Sequence, residues 1–150
     1  MYIHIVRHKR EPDVAACLGC LCLASRRASR AITRAFDRQL RPHGIRATQF
    51  SILTMLIGYG PTTIGDLAEG LGIERTTLTR NLSVLEDQGW VKIGVGATDG
   101  RSRVATATPK GRKAVSAAMP AWRRAQTAAG DAIGASGLAA LHALSGTTFG

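Results

Sequence analysis

The chain has 150 residues, enough for one domain with its own hydrophobic core, or for one domain with an added dimerisation segment. Its 20 lysine and arginine residues outnumber 10 acidic residues, and the formal net charge of +10 attracts polyanions without distinguishing nucleic acid from an acidic membrane surface. No apolar run approaches the roughly 20 residues that cross a bilayer, so no membrane partner is expected.

The charge is unevenly distributed along the chain. Residues 1–50 hold ten basic and three acidic side chains, a balance of +7. Residues 51–100 hold three basic and six acidic side chains, a balance of −3. Residues 101–150 hold seven basic side chains and one acidic side chain, a balance of +6. Attraction to a polyanion is therefore expected mainly from the two ends of the chain.

The first 13 residues predict a flexible or dimer-crossing N-terminal arm. They lack the long apolar core and the clean cleavage site of a secretory signal. The expected location of the protein is therefore the cytoplasm.

Val14 to Leu40 is predicted to form one long helix, within a dimerisation segment that spans residues 14–46. Its apolar side chains recur on one face. A second stripe consists of Arg26, Arg30, Arg34, Arg38 and Arg41. Like charges at this spacing repel, so the stripe is expected to face solvent, to pair across a dimer, or to face an anion such as a carboxylated effector or DNA phosphates.

Three cysteines, Cys17, Cys20 and Cys22, lie near the start of this helix. An odd, tightly grouped set argues against a disulfide framework. Four roles remain open: small buried hydrophobes, a redox switch, a thiolate metal site, and a nucleophile. A closed tetrahedral metal site would need a fourth ligand, for which only a distant His4 or His8 is available, so no metal and no cofactor are predicted.

A second helix is predicted from Ala47 to Ile57. Its expected cap lies near Thr48. The inward side chains are Phe50, Leu53, Leu56 and Ile57. This helix is expected to connect the dimerisation segment to the region that follows.

The next helix is predicted to open with a capping box. In it the Thr63 side chain accepts from the backbone N–H near Asp66, and the Asp66 side chain accepts from the Thr63 backbone N–H. Its buried face consists of Ile64, Leu67, Ala68 and Leu71. Gly70 and Gly72 are expected to end it, because a positive φ is favoured there.

A further helix, over residues 74–88, has two contrasting faces. Leu78, Leu82 and Leu85 recur at helical spacing, and Gly89 ends the run. The opposite face carries Arg75, Thr76, Thr79, Arg80 and Ser83, with Thr77 near its rim. Arginine reads guanine, hydroxyls read several base edges, and threonine methyls pack on thymine, so this face suits a DNA major groove. The alternative is an ordinary solvated surface.

Val91 to Val95 and Ser102 to Thr106 are predicted to pair as a hairpin, because both are β-branched and glycines lie between them. The tip presents Arg101 and Arg103, and an arginine at such a tip can enter a narrow minor groove. Asp99 is placed to orient the guanidinium of Arg101.

Thr108 and Pro109 predict the start of a long, alanine-rich helix over residues 109–135, with Thr108 as its cap. Pro120 is expected to kink this helix or to be compensated by neighbouring contacts. Residues 137–144 predict a short last helix. The small side chains suit close helix packing and Trp122 offers an apolar anchor, so residues 109–150 are assigned to dimerisation.

Taken together, the stretch from Thr63 to Trp90 and the motif Asp99-Gly100-Arg101-Ser102-Arg103-Val104-x-x-Ala107-Thr108-Pro109-x-Gly111 resemble the MarR family of bacterial transcriptional regulators. The family's wing signature has leucine where this chain has Ala107. The resemblance covers roughly residues 17 to 130.

This resemblance implies a mainly α fold with a small β wing, in which residues 47–108 form a winged helix-turn-helix and helical segments form a homodimer base. It assigns major-groove contacts to the outward face of the recognition helix, that is Thr76, Thr77, Thr79, Arg80 and Ser83. It assigns the minor-groove contact to Arg101. Two-fold symmetry then requires an inverted-repeat operator with half-sites roughly 10 bp apart.

Residues around Cys22, together with Gln49-Phe50, are similar to the organic-hydroperoxide-sensing branch of this family, in which the reactive cysteine occupies the position of Cys22. Two tyrosines that help to hold the thiolate in that branch are replaced here by Phe36 and Ala47. Nearby arginines would still stabilise a reactive thiolate.

The predicted function is a sequence-specific, DNA-binding transcriptional regulator, a dimeric repressor released from its operator by a small-molecule effector. One alternative is redox sensing through Cys22. Another is a nonspecific architectural protein bound to double-stranded DNA. The sequence contains no acid–base pair for cysteine catalysis and no glycine-rich phosphate loop, so no enzyme is predicted.

Overall fold

The computed structural model describes residues 12–97 and 100–148. In chain order the helices and strands are α1 (Pro12–Cys17), α2 (Leu21–Leu40), a 3₁₀ turn (Arg41–His43), α3 (Ala47–Tyr59), β1 (Thr62–Thr63), α4 (Ile64–Leu71), α5 (Arg75–Asp87), β2 (Val91–Val95), β3 (Arg103–Ala107) and α6 (Pro109–Ser145). The chain divides into two compact units, residues 1–32 and residues 33–150. The predicted N-terminal arm lies almost entirely outside the described residues.

The first unit contains a break that the sequence analysis did not predict. Residues 18–20 form a turn between α1 and α2, in which Gly19 donates to the carbonyl of Ala16 at 3.2 Å and Cys20 donates to that of Cys17 at 3.1 Å. The prediction of one helix over Val14 to Leu40 was therefore wrong at this point. Glycine disfavours the helical conformation, and the apolar side chains here are exposed, so little packing opposes the break.

The core of the second unit is formed by α3, α4, α5, the sheet and α6. Fully buried side chains include Ile52, Leu53, Leu56, Leu67, Leu78, Leu82 and Leu85. The inward faces predicted for α4 and α5 are confirmed. In α3 the predicted face is confirmed in part, because Ile57 is only partly buried and the fully buried Ile52 was not predicted. Phe50 of α3 stacks on Trp122 of α6 with ring centroids 6.2 Å apart, which gives the predicted anchor its partner.

The start of α3 is capped from a distance. The Asp37 carboxylate accepts from the Ala47 N–H at 2.8 Å and pairs with the Arg46 guanidinium at 3.5 Å. Gln49 accepts from the Arg46 N–H at 3.0 Å. The cap predicted at Thr48 was wrong, because a carboxylate ten residues earlier supplies the acceptor.

Thr63 is confirmed as the cap of α4, but the bond that Asp66 makes in return differs from the predicted one. Thr63 accepts from the Asp66 N–H at 3.1 Å, but Asp66 accepts from the Thr63 hydroxyl at 2.7 Å rather than from the backbone. Gly72 ends the helix with a φ of 62°, whereas Gly70 lies inside the last turn.

The sheet has the order β1-β3-β2 and is antiparallel throughout. The predicted hairpin is confirmed, with β3 displaced by one residue. β1 was missed, because two residues carry no periodicity. In α6 the chain stays helical through Pro120 and breaks at Gly134, where φ is 71° and ψ is 171°. Among the described residues no helix is long and apolar enough to span a membrane.

Candidate nucleic-acid interface

The outward face of α5 is the largest set of predicted site residues that the structure brings together. Leu78, Leu82 and Leu85 are fully buried, which fixes the rotation of the helix. The predicted contact residues are Arg75, Thr76, Thr77, Thr79, Arg80 and Ser83, and all of them are exposed. All of these except Thr77 line one open groove, together with Val84. The face is therefore available to a ligand, and it carries two guanidinium groups.

Some polar groups on this face are already engaged within the helix. The Thr79 hydroxyl donates to the Arg75 carbonyl at 2.8 Å, and the Asn81 side chain donates to the Thr77 carbonyl at 2.9 Å. The Thr79 oxygen can still accept a hydrogen bond, but its donor is occupied.

The Arg75 side chain lies over the start of α4. A Cβ atom on Gly65 would lie 2.8 Å from the Arg75 Nη2 atom and 3.9 Å from the Thr63 hydroxyl oxygen. A side chain at position 65 would therefore displace the guanidinium. Gly65 holds open the space through which Arg75 spans the two helices of the helix-turn-helix.

The end of α5 is tied to the start of α6 through Thr108. The Thr108 N–H donates to the Trp90 carbonyl at 3.0 Å, and the Thr108 hydroxyl donates to the Gly89 carbonyl at 2.7 Å. The same hydroxyl accepts from the Gly111 N–H at 3.1 Å, which confirms Thr108 as the helix cap. Gly89 has a φ of 71°, as a helix-ending glycine requires.

The hairpin is attached to the same helix. Glu86 of α5 accepts from the Ile93 N–H of β2 at 3.3 Å, and the Gly96 N–H donates to the Ser102 carbonyl at 2.7 Å near the tip. Arg101 and Arg103 are exposed at this end of the hairpin. Asp99, predicted to orient Arg101, lies outside the described residues. The hairpin and the outward face of α5 thus belong to one connected substructure.

The cysteines lie in the first unit, away from this substructure in sequence, and all three are exposed. The interpretation of Cys17, Cys20 and Cys22 as small buried hydrophobes was wrong for the single chain. The Arg26 Nη2 atom lies 3.5 Å from the Cys22 sulfur. Among the described residues no three His, Cys, Asp or Glu side chains are grouped closely enough to hold a metal ion.

Three features of the site were missed by sequence reasoning. Val84 was not named among the predicted contact residues, which were all polar. The approach of Arg75 to Gly65 has no signal in sequence spacing, and neither does the capping of α3 by Asp37. A helical projection would have found Val84, since it follows Arg80 by one turn.

Comparison with known proteins places these features in a family. The model of the MarR family matches residues 43–102, which contain α3 to β2 and the tip of the hairpin. A curated relative, an uncharacterised HTH-type transcriptional regulator of Bacillus subtilis called YwoH, is 33% identical over 81 residues, which are 54% of this chain and 58% of that protein. The match thus spans little more than half of that relative.

Solved structures extend the similarity to more of the chain. The M. tuberculosis transcriptional regulator MosR, solved in complex with DNA, is 43% identical, with a TM-score of 0.69 and coverage of 77% of this chain and 84% of that one. A mutant MarR from E. coli, solved with operator DNA, shares the fold with a TM-score of 0.73 at 22% identity, with coverage of 85% and 91%. The chain therefore belongs to the MarR family, whose members are DNA-binding transcriptional regulators and not enzymes, as the sequence predicted.

Proposed function

We propose that the protein is a sequence-specific repressor that binds an inverted-repeat operator as a homodimer and is released by a small-molecule effector. The observation that carries this proposal is the outward face of α5, which exposes Arg80, Thr76 and Ser83 on a helix whose opposite face is buried. The sequence identity of 43% to a regulator solved in complex with DNA supports DNA as the ligand of this chain.

In this proposal α5 enters the major groove and the hairpin reaches the minor groove beside it. Arg80 donates two hydrogen bonds to a guanine, while Thr76 and Ser83 contact neighbouring base edges. Arg101 enters the minor groove, and Arg103 contacts the backbone. Arg75, held over Gly65, lies where a phosphate can approach the start of α4.

The homodimer is supported by apolar side chains that the single chain leaves exposed. In the first unit these include Leu21 and Leu23 of α2, and in the second unit Leu141 and Leu144 near the end of α6. Exposed leucines on helical segments are expected to be covered by a partner. A second copy would supply the two-fold axis that an inverted repeat requires.

Release by an effector requires a ligand whose affinity depends on the distance between the two α5 helices of the dimer. The ligand must bind more tightly at a distance that does not fit the operator. Arg34, Arg38 and Arg41 are exposed on the second half of α2 and its continuation, so an anionic effector is the favoured class. The proposed location is the cytoplasm, where the operator is accessible.

The test is selection of duplexes from a random pool by the full chain, followed by competition of the enriched duplex against unrelated duplex at fixed salt. A specific repressor enriches an inverted repeat and prefers it by at least about a thousand-fold. An architectural protein enriches no sequence and shows nearly equal affinities, which would contradict the proposal.

A second candidate function, redox sensing through Cys22, is supported by the Arg26 guanidinium 3.5 Å from the sulfur. A cationic side chain beside an exposed sulfur is typical of the surroundings of reactive cysteines. The thiolate would attack a hydroperoxide, form a sulfenic acid by gaining one oxygen, and, with one proton, release the corresponding alcohol. Oxidation would then act as the signal that releases the operator.

A further inference from the structure

Val84 is an apolar side chain on a surface that was predicted to be polar. It is 40% exposed, although the leucines of the same helix are fully buried. It lines the groove formed by Arg75, Thr76, Thr79, Arg80 and Ser83. Val84 therefore leaves part of a branched apolar side chain open to a ligand on this face.

The chemistry around Val84 favours an apolar contact. The Thr79 hydroxyl donates to the Arg75 carbonyl, so this side chain has no free donor to offer a ligand beside Val84. Arg75 and Arg80 supply positive charge on the same face. A ligand for this surface combines negative charge with small apolar groups, and the thymine methyl in the major groove of DNA is such a group.

We infer that Val84 is a specificity-determining residue that packs against the 5-methyl group of a thymine, an inference that rests on the proposed function. Val84 follows Arg80 by four residues, a rise of about 6 Å along the helix axis. Because Val84 lies about one helical turn beyond Arg80, the thymine is expected in the same half-site as the guanine read by Arg80.

The experiment uses the duplex enriched by the full chain and replaces each thymine, one at a time, with deoxyuridine, which lacks only the methyl group. For the wild-type protein one position in each half-site is expected to weaken binding about four-fold, the effect of removing one buried methyl. In Val84→Ala the same replacement is expected to change affinity less than about two-fold. Thymines elsewhere in the duplex serve as internal controls.

The outcomes separate this inference from the proposed function. If the selection returns no preferred duplex, both are overturned. If it returns one, but every deoxyuridine position affects wild type and Val84→Ala equally, the function stands and the inference fails. Val84→Ala is expected to fold, because the side chain is exposed and alanine favours helix, and circular dichroism checks this.

Discussion

Gly111 packs directly against the backbone of Trp90: a Cβ atom on Gly111 would lie 3.0 Å from the Trp90 carbonyl carbon and 3.2 Å from its Cα atom. This approach brings the start of α6 against the segment that joins α5 to β2. Together with the bonds of Thr108, it fixes the hairpin and α5 to the rest of the second unit. Gly111 is thus needed for its lack of a side chain rather than for contact with a ligand.

Gly111→Ala is expected to destabilise the protein by about 1–3 kcal/mol, because the added methyl meets rigid backbone and forces it to move. The measurement is the free energy of unfolding from denaturant titration. Gly130→Ala, in the same helix but with no atom within 4 Å of the new Cβ, is the control. It is expected to leave stability unchanged or to raise it by up to about 1 kcal/mol. Equal effects of the two substitutions would contradict the packing argument.

Thr108→Ala is expected to lower stability by about 0.5–2 kcal/mol, because it removes the helix cap and the bond to the Gly89 carbonyl. Thr108→Ser keeps the hydroxyl and should retain most of that stability. Thermal unfolding of the two variants makes the comparison. A serine variant as unstable as the alanine variant would show that the hydroxyl is not responsible.

Gly65→Ala should separate stability from DNA binding. The new methyl meets only the end of the flexible Arg75 side chain, so the free energy of unfolding should change by less than about 0.5 kcal/mol. The displaced guanidinium is expected to weaken binding to the enriched duplex about three- to ten-fold, as loss of one charged contact does. Arg75→Ala is the reference, and adding Gly65→Ala to it should have no further effect. Additive losses would show that Gly65 acts independently of Arg75.

Cys22→Ser tests the redox candidate. If Cys22 is the sensor, organic hydroperoxide lowers operator affinity of the wild-type protein at least about ten-fold and leaves the serine variant unchanged. Cys17→Ser is the matched control, because that thiol is also exposed but no arginine contact is described for it. Equal loss of binding in wild type and Cys22→Ser would exclude Cys22 as the sensor.

The helix-turn-helix could be predicted from sequence because its signals are local and repeated. Leucines at helical spacing in α5 mark the buried face, and Thr63 and Thr108 mark helix starts through their own hydroxyls. The contacts that position the site are not local. Asp37 caps α3 across ten residues, and Gly111 meets Trp90 across a whole hairpin, so neither is readable from spacing alone.

The break at residues 18–20 shows a different limit. The sequence pattern continued across Gly19, and periodicity alone cannot tell whether packing will hold a weak helical segment together. Val84 shows a third limit, because the outward face of α5 was predicted from its polar residues alone, and an exposed apolar residue on the same face was not considered.

The most direct test of the account is the preference of Arg80→Ala for the enriched duplex over unrelated duplex, measured at fixed salt. If the outward face of α5 reads bases, this variant loses roughly 5- to 150-fold in affinity for the enriched duplex, equivalent to about 1–3 kcal/mol, and relaxes selection at one base pair per half-site. Binding to unrelated duplex should change far less. An Arg80→Ala variant with the sequence preference of the wild type would contradict the central claim that α5 is the recognition helix.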